Sequence, residues 1–109
     1  MRQSALYATM VSGAIAIIAD PKQWIALPPG VTVNNPIPYW EEGGGPRCFH
    51  WALVRAAYLS SGDAAAALQL AANIRDRIQE LTHRDPMKVN DNEGREAVIA
   101  FARTVIPMF

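Results

Sequence analysis

One cysteine, Cys48, stands in a chain of 109 residues, so no intrachain disulfide can staple it. A lone thiol suits a reducing compartment. Together with the two histidines, His50 and His83, it falls short of the four ligands a structural zinc site wants. No spacing of acids asks for a metal either, and no cofactor is expected. Charge of one sign is also missing, because ten basic and ten acidic side chains cancel. A nucleic-acid binder draws affinity from a basic surplus that displaces counterions from phosphate. Here the arginines and lysines are scattered among acids, which disfavours direct DNA or RNA binding.

Long hydrophobic runs are scarce as well. Residues 3–19 carry no charge and follow Arg2, the outline of a secretory signal peptide. Thr9, Ser12 and Gly13 interrupt the run, and Ile17 fits badly where cleavage wants a small residue. The stretch is short and mild for a membrane span. Leu6, Met10, Ala14, Ile17 and Ile18 fall on one helical stripe, so a helix packed on a core is the preferred reading. A cytoplasmic protein without membrane contact is the expectation. No G-x-x-x-x-G-K, G-x-G-x-x-G, H-E-x-x-H or G-x-S-x-G motif occurs, which leaves no familiar catalytic signature.

What is present is apolar and helical. Half the residues are hydrophobic and 18% are charged, a composition that folds. The pattern predicts an all-α, compact four-helix domain over residues 1–109. Helix one covers about 4–19, with Ser4 as N-cap, and stops before Pro21. Helix two opens at Pro46 and runs to about Ser60, with Cys48 or Phe49, then Ala52, Leu53, Ala56 and Leu59 on its buried side. Gly62 supplies a left-handed stop and Asp63 caps helix three, so these two helices form a central αα-hairpin. Helix three reaches about Thr82, and Pro86 closes that segment. Helix four is expected to open at Asn90, with Glu93 at capping-box spacing and Val98, Phe101, Ala102, Val105 and Ile106 inward.

Between helices one and two the composition changes. Nine of the nineteen residues from 28 to 46 are Pro or Gly, and Val31-Thr32-Val33 is the sole strand-like piece. Loops of this length inside a compact domain are uncommon and are usually functional or mobile. Ile37, Tyr39 and Trp40 want something to pack on, either the protein's own helices or a partner.

The hairpin resembles a tetratricopeptide unit, with Trp51, Tyr58 and Ala67 at that repeat's intervals. Only one copy exists, and such repeats need about three to bury their faces. A second likeness rests on Trp24, on Cys48-Phe49-His50-Trp51-Ala52-Leu53 with the later Ala56, and on Asn90-Asp91-Asn92-Glu93-Gly94-Arg95 leading to Val98. These patches resemble a family of short uncharacterised bacterial and phage proteins with a Cys-x-x-x-Ala-Leu helix and a C-terminal Asn-Asp-x-x-Gly-Arg box. Glu96 departs from the Thr usual there, and Val89 from an expected Trp. The resemblance implies a helical fold and a bacterial or phage origin, and no reaction.

Two clusters invite chemistry. Cys48 sits at the start of a helix after Arg47, where a dipole and a cation lower a thiol pKa. With His83 and Asn90 later in the chain it gives the Cys, His, Asn order of papain-like enzymes. Against this, free cysteines commonly pack as small hydrophobes, and His50 lies two residues away, on another side of the helix. Asn90, Asp91, Glu93 and Arg95 form the densest polar group, read as a structural cap rather than as a cation or anion site. The preferred function is therefore a non-enzymatic module that binds a protein partner, such as a phage-encoded inhibitor of a host defence complex. Tyr39, Trp40 and Arg47 are its candidate contacts, since interface hot spots favour Trp, Tyr and Arg. The alternatives are a thiol enzyme using Cys48 and His83, and a self-associating assembly protein.

Overall fold

A computed structural model describes residues 2–26 and 38–109. The expectations about Val31–Val33 and Ile37, and about the prolines and glycine from 28 to 36, lie outside the described residues. The described residues form five α-helices: α1 at Gln3–Ile18, α2 at Phe49–Ser61, α3 at Ala64–Thr82, α4 at Pro86–Glu93 and α5 at Arg95–Val105. Short 3-10 turns follow α1 and α5. No helix among the described residues is long and apolar enough to cross a membrane.

The hairpin forms as its turn chemistry dictates. Gly62 takes the left-handed region at φ 69° and donates its N–H back to Tyr58. Asp63 caps α3 by accepting from the N–H groups of Ala65 and Ala66. α2 packs against both α1 and α3, while α5 packs against α4 and α1. The shared core contains Val11, Ala14 and Ile18 of α1, Phe49, Leu53 and Val54 of α2, Ile74 and Ile78 of α3, and Val98 and Val105 of α5, all at 0% exposure. Burying each large member stabilises the fold by roughly 1.5–3 kcal/mol relative to exposure.

The last quarter of the chain corrects the four-helix count. Pro86 does not end a segment; it occupies the first turn of α4, where its missing N–H costs nothing. Asp85 is the N-cap there, accepting from the N–H of Met87 at 2.9 Å. Gly94, at φ 99° and ψ 177°, then breaks the helical path and separates α4 from α5. The left-handed φ at that junction favours glycine, which explains its place among residues that otherwise continue a helix. Ser4 likewise is not the cap of α1: that helix begins at Gln3, with Arg2 making no side-chain capping bond. Helix two starts three residues later than Pro46 suggests, with Cys48 as N-cap.

Asn90 is therefore inside a helix and not at the head of one. It is completely buried. Its Oδ1 accepts from the Trp24 indole N–H at 2.8 Å and from the backbone N–H of Phe49 at 3.0 Å. Its Nδ2 donates to the Ile25 carbonyl at 3.3 Å and to Asp91 Oδ1 at 2.9 Å. The bond from Phe49 satisfies one of the orphan donors at the start of α2, so the carboxamide caps a helix other than its own. Glu93 instead pairs with Arg84, and Arg95 donates to the Ala19 carbonyl at 2.8 Å, tying α5 to the end of α1. The bonds of this cluster tie segments together, where the capping box would have closed one helix on itself.

This arrangement separates two roles under mutation. An N-cap asparagine is replaced by serine at little cost. A buried carboxamide with four partners is not, because the shorter side chain leaves donors unpaired at about 1–3 kcal/mol each. Asn90→Ser should lose at least about 2 kcal/mol in urea denaturation. A serine variant that unfolds with the parent would show that the bonds to Trp24 and Phe49 contribute little.

Candidate functional site

Trp51, Arg55 and Tyr58 follow one another at intervals of four and three on α2, so they share a face. All three are half-buried, and the segment from Pro38 to Arg47 lies along them. The Tyr39 ring stacks on Trp51 with centroids 5.0 Å apart and planes at 20°. Trp40 tilts against the same indole at 6.2 Å, and His50 meets it edge-on at 5.1 Å. Aromatic pairs at such separations contribute about 0.5–1.5 kcal/mol beyond their area. The outcome is a ledge of three large aromatics built from a loop and a helix.

Two arginines hold the loop in place. Arg47 donates from Nε to the Tyr39 carbonyl and from Nη2 to the Glu41 carbonyl. Arg55 donates from Nη1 to the Trp40 carbonyl at 2.8 Å. Three consecutive carbonyls thus face two guanidinium groups. The loop closes on itself through bonds from Glu41 N–H to the Pro38 carbonyl and from Gly44 N–H to the Glu41 carbonyl, both 3.0 Å. A Cβ at Gly44 would lie 2.6 Å from the Pro38 oxygen and 2.8 Å from Tyr39 Cα, so only glycine permits this approach. Beside it, Glu41 raises the Tyr58 phenol above its ordinary pKa, first through its charge and then through a hydrogen bond.

The backbone of Arg47 anchors the other end. Its N–H donates to the Gln23 carbonyl at 2.8 Å, and its carbonyl accepts from Ile25 at 3.2 Å, making a parallel bridge between Trp24 and Arg47. Arg47 is only 4% exposed. Burial, followed by the nearby charge of Arg55, lowers its guanidinium pKa. It is thus a support beneath the ledge rather than the exposed contact its composition suggested. Tyr39 and Trp40 are half-buried, and Trp40 packs against the core as well as against Trp51. Trp51, Arg55 and Tyr58 join Tyr39 and Trp40 at the site, and their spacing on one helix face is the sequence signal that points to them.

The thiol site does not assemble. Cys48 is 2% exposed. Burial pushes its pKa up, and Asp91 adds to that rise; the N–H groups of Trp51 and His50, together with Arg75, oppose it without prevailing. His83 serves as the left-handed C-cap of α3 at φ 58° and makes no side-chain hydrogen bond among the described residues. Asn90, the third member of the order, has both its oxygen and its nitrogen committed to other segments. Nothing here generates a thiolate or orients an imidazole toward one. Among the described residues no group of three or more His, Cys, Asp or Glu side chains converges as a metal site. Compared with models of known families, with curated proteins and with solved structures, the chain matches none.

Two expectations follow. The native Cys48 thiol should react with a soluble disulfide reagent at neutral pH only as fast as the fold opens, and Cys48→Ala should cost about 1 kcal/mol, as a small cavity does. Rapid stoichiometric labelling of folded protein would contradict the burial argument. Gly44→Ala should dislodge the ledge, lowering stability by about 1–3 kcal/mol through backbone displacement. The same variant should change the tryptophan fluorescence of the folded state.

Proposed function

We propose that the protein is a non-enzymatic module that binds a protein partner through the Tyr39–Trp40–Trp51 ledge. The observation that supports this reading most is the pinning of the ledge. Both arginines and Gly44 hold the aromatic loop in one conformation, so its rings lose little conformational freedom on contact. Rigid aromatic anchors flanked by polar groups are what interface hot spots are made of. Arg55, Tyr58 and Glu41 supply such a polar flank within the same helix face and loop. The narrower reading, a phage-encoded inhibitor of a host defence complex, belongs to the same proposal and rests on the likeness to short bacterial and phage proteins. So do a cytoplasmic setting and the absence of direct nucleic-acid binding, the latter supported by the balanced charge.

The thiol-enzyme alternative gains no support from a buried, protonated Cys48. Self-association has Leu59, 64% exposed on α2, in its favour, but this residue stands eight positions after Trp51, beyond the aromatic rings of the ledge.

Tyr39 is the cleaner probe, because among the described residues its ring stacks on Trp51 without joining the core, whereas Trp40 also packs against the core. In a bacterial lysate the parent protein should capture a defined partner. Tyr39→Ala should fold with a melting temperature within a few degrees of the parent and bind that partner at least about 2 kcal/mol more weakly. Trp40→Ala should lose both binding and about 1–3 kcal/mol of stability, less than a fully buried tryptophan would. Unchanged capture by a folded Tyr39→Ala protein would remove the ledge from the interface.

A further inference from the structure

The head of α4 is tied to α2 and α3 by a junction that borders the ledge, with His50 edge-on to Trp51. Arg75, on α3, reaches in two directions. Its Nη1 donates to His50 Nδ1 on α2 at 3.4 Å, and its Nη2 donates to Asp85 Oδ1 at 3.4 Å. That same Asp85 oxygen caps α4 through the N–H of Met87. A third tie runs from the His50 backbone N–H to the Met87 sulfur at 3.3 Å. Since a guanidinium can only donate, His50 must present a lone pair on Nδ1 and carry its hydrogen on Nε2. The contact therefore requires a neutral ring.

Beside this junction lies a cleft of about 230 Å³ lined by His50, Ala72, Arg75, Asp76 and Gln79. Asp76 makes no ion pair among the described residues. The charged groups facing His50 are thus Arg75 and, across the cleft, Asp76 from α3, and Asp85 from the head of α4. Trp51 offers an uncharged edge. We propose that the His50–Arg75–Asp85 junction is an acid-released latch that seats α4 against α2.

A proton on Nδ1 removes the acceptor and sets a second positive charge against the Arg75 guanidinium. The cleft gives that guanidinium room to swing toward Asp76 and away from Asp85. α4 then loses its link to α3 at the residue that caps it. Because α4 carries Asn90, loosening its head weakens the hold on Trp24 and on the first turn of α2. The direction of the His50 pKa agrees: burial, then Arg75, lowers it from 6.5 to about 4, and Asp85 only partly offsets this. A histidine with a lowered folded pKa favours the closed form fully above its unfolded value. That preference declines as pH falls through 6.5 and levels off near 4. Over that window the closed-to-open ratio should fall by at most roughly 300-fold, and by less where solvent screens the half-buried ring.

The test follows amide exchange and backbone chemical shifts of the whole protein between pH 7.5 and 4. Residues 87–90 should lose protection ahead of residues 98–102, in a one-proton transition, while α5 stays native. His50→Gln should abolish that early transition. Arg75→Gln should leave residues 87–90 less protected already at neutral pH, with no further change through the window. Loss of α4 and α5 protection together, or an early transition that persists in His50→Gln and so belongs to a carboxylate, would overturn the latch.

Discussion

The carboxamide of Asn90 is the contact on which the remaining architecture depends. α2 begins at Phe49 after an N-cap, Cys48, whose side chain makes no capping bond. The open donor at that helix start is met by an oxygen from a residue 41 positions later in the chain. The same oxygen takes the Trp24 indole N–H, and the amide nitrogen takes the Ile25 carbonyl. An amide oxygen has two lone pairs and an amide nitrogen two hydrogens, and here each has a partner. In a site with no exposure, that complete matching is what makes burial of a polar group tolerable.

The ledge follows from this junction. Trp24 and Ile25 are placed by Asn90, and the backbone of Arg47 pairs with Gln23 and Ile25 beside them. Arg47 can then turn its guanidinium under the loop and gather carbonyls at positions 39 and 41. A buried cation bonded to neutral carbonyls retains a desolvation cost, visible in its lowered pKa. The ledge is thus supported from below by an arrangement that makes sense when the aromatics above it must hold one geometry. The junction at Asp85 lies at the head of α4, the helix that carries Asn90 to Phe49.

The sequence was informative wherever the structure depended on neighbours in the chain. Gly62 and Asp63 define a turn through left-handed backbone and a side-chain cap, both local effects, and the hairpin has the expected bounds to within a residue or so everywhere except the start of α2, which lies three residues after Pro46. The apolar faces of α2 and α3 were legible from their period for the same reason, apart from Leu59, which the period turns inward and the fold leaves 64% exposed. Local pattern and fold diverge where a local motif competes with a distant partner. Asn90 and Glu93 have capping-box spacing, yet Asp85-Pro86 starts a helix upstream of them and turns Asn90 inward. Arg47 has the composition of an interface anchor, and only the path of the loop shows that carbonyls enclose it. Cys48 follows a cation at a helix start, a favourable local setting for a thiolate, but burial outweighs that setting.

By itself, then, the sequence determined the all-helical class, the hairpin and its turn, and the burial of Cys48 as the expected fate of a lone thiol. These rest on periodicity, capping and composition, which act within a few residues. Tertiary structure alone decided that the last helical segment is two helices, that Asn90 caps a helix other than its own, and that Arg47 supports Tyr39 from beneath. It also decided that Arg75 links His50 to Asp85. Each of these joins residues that are distant in sequence or depends on which face of a segment turns inward, and a hydrogen-bonding group names no partner until the fold brings one within about 3 Å.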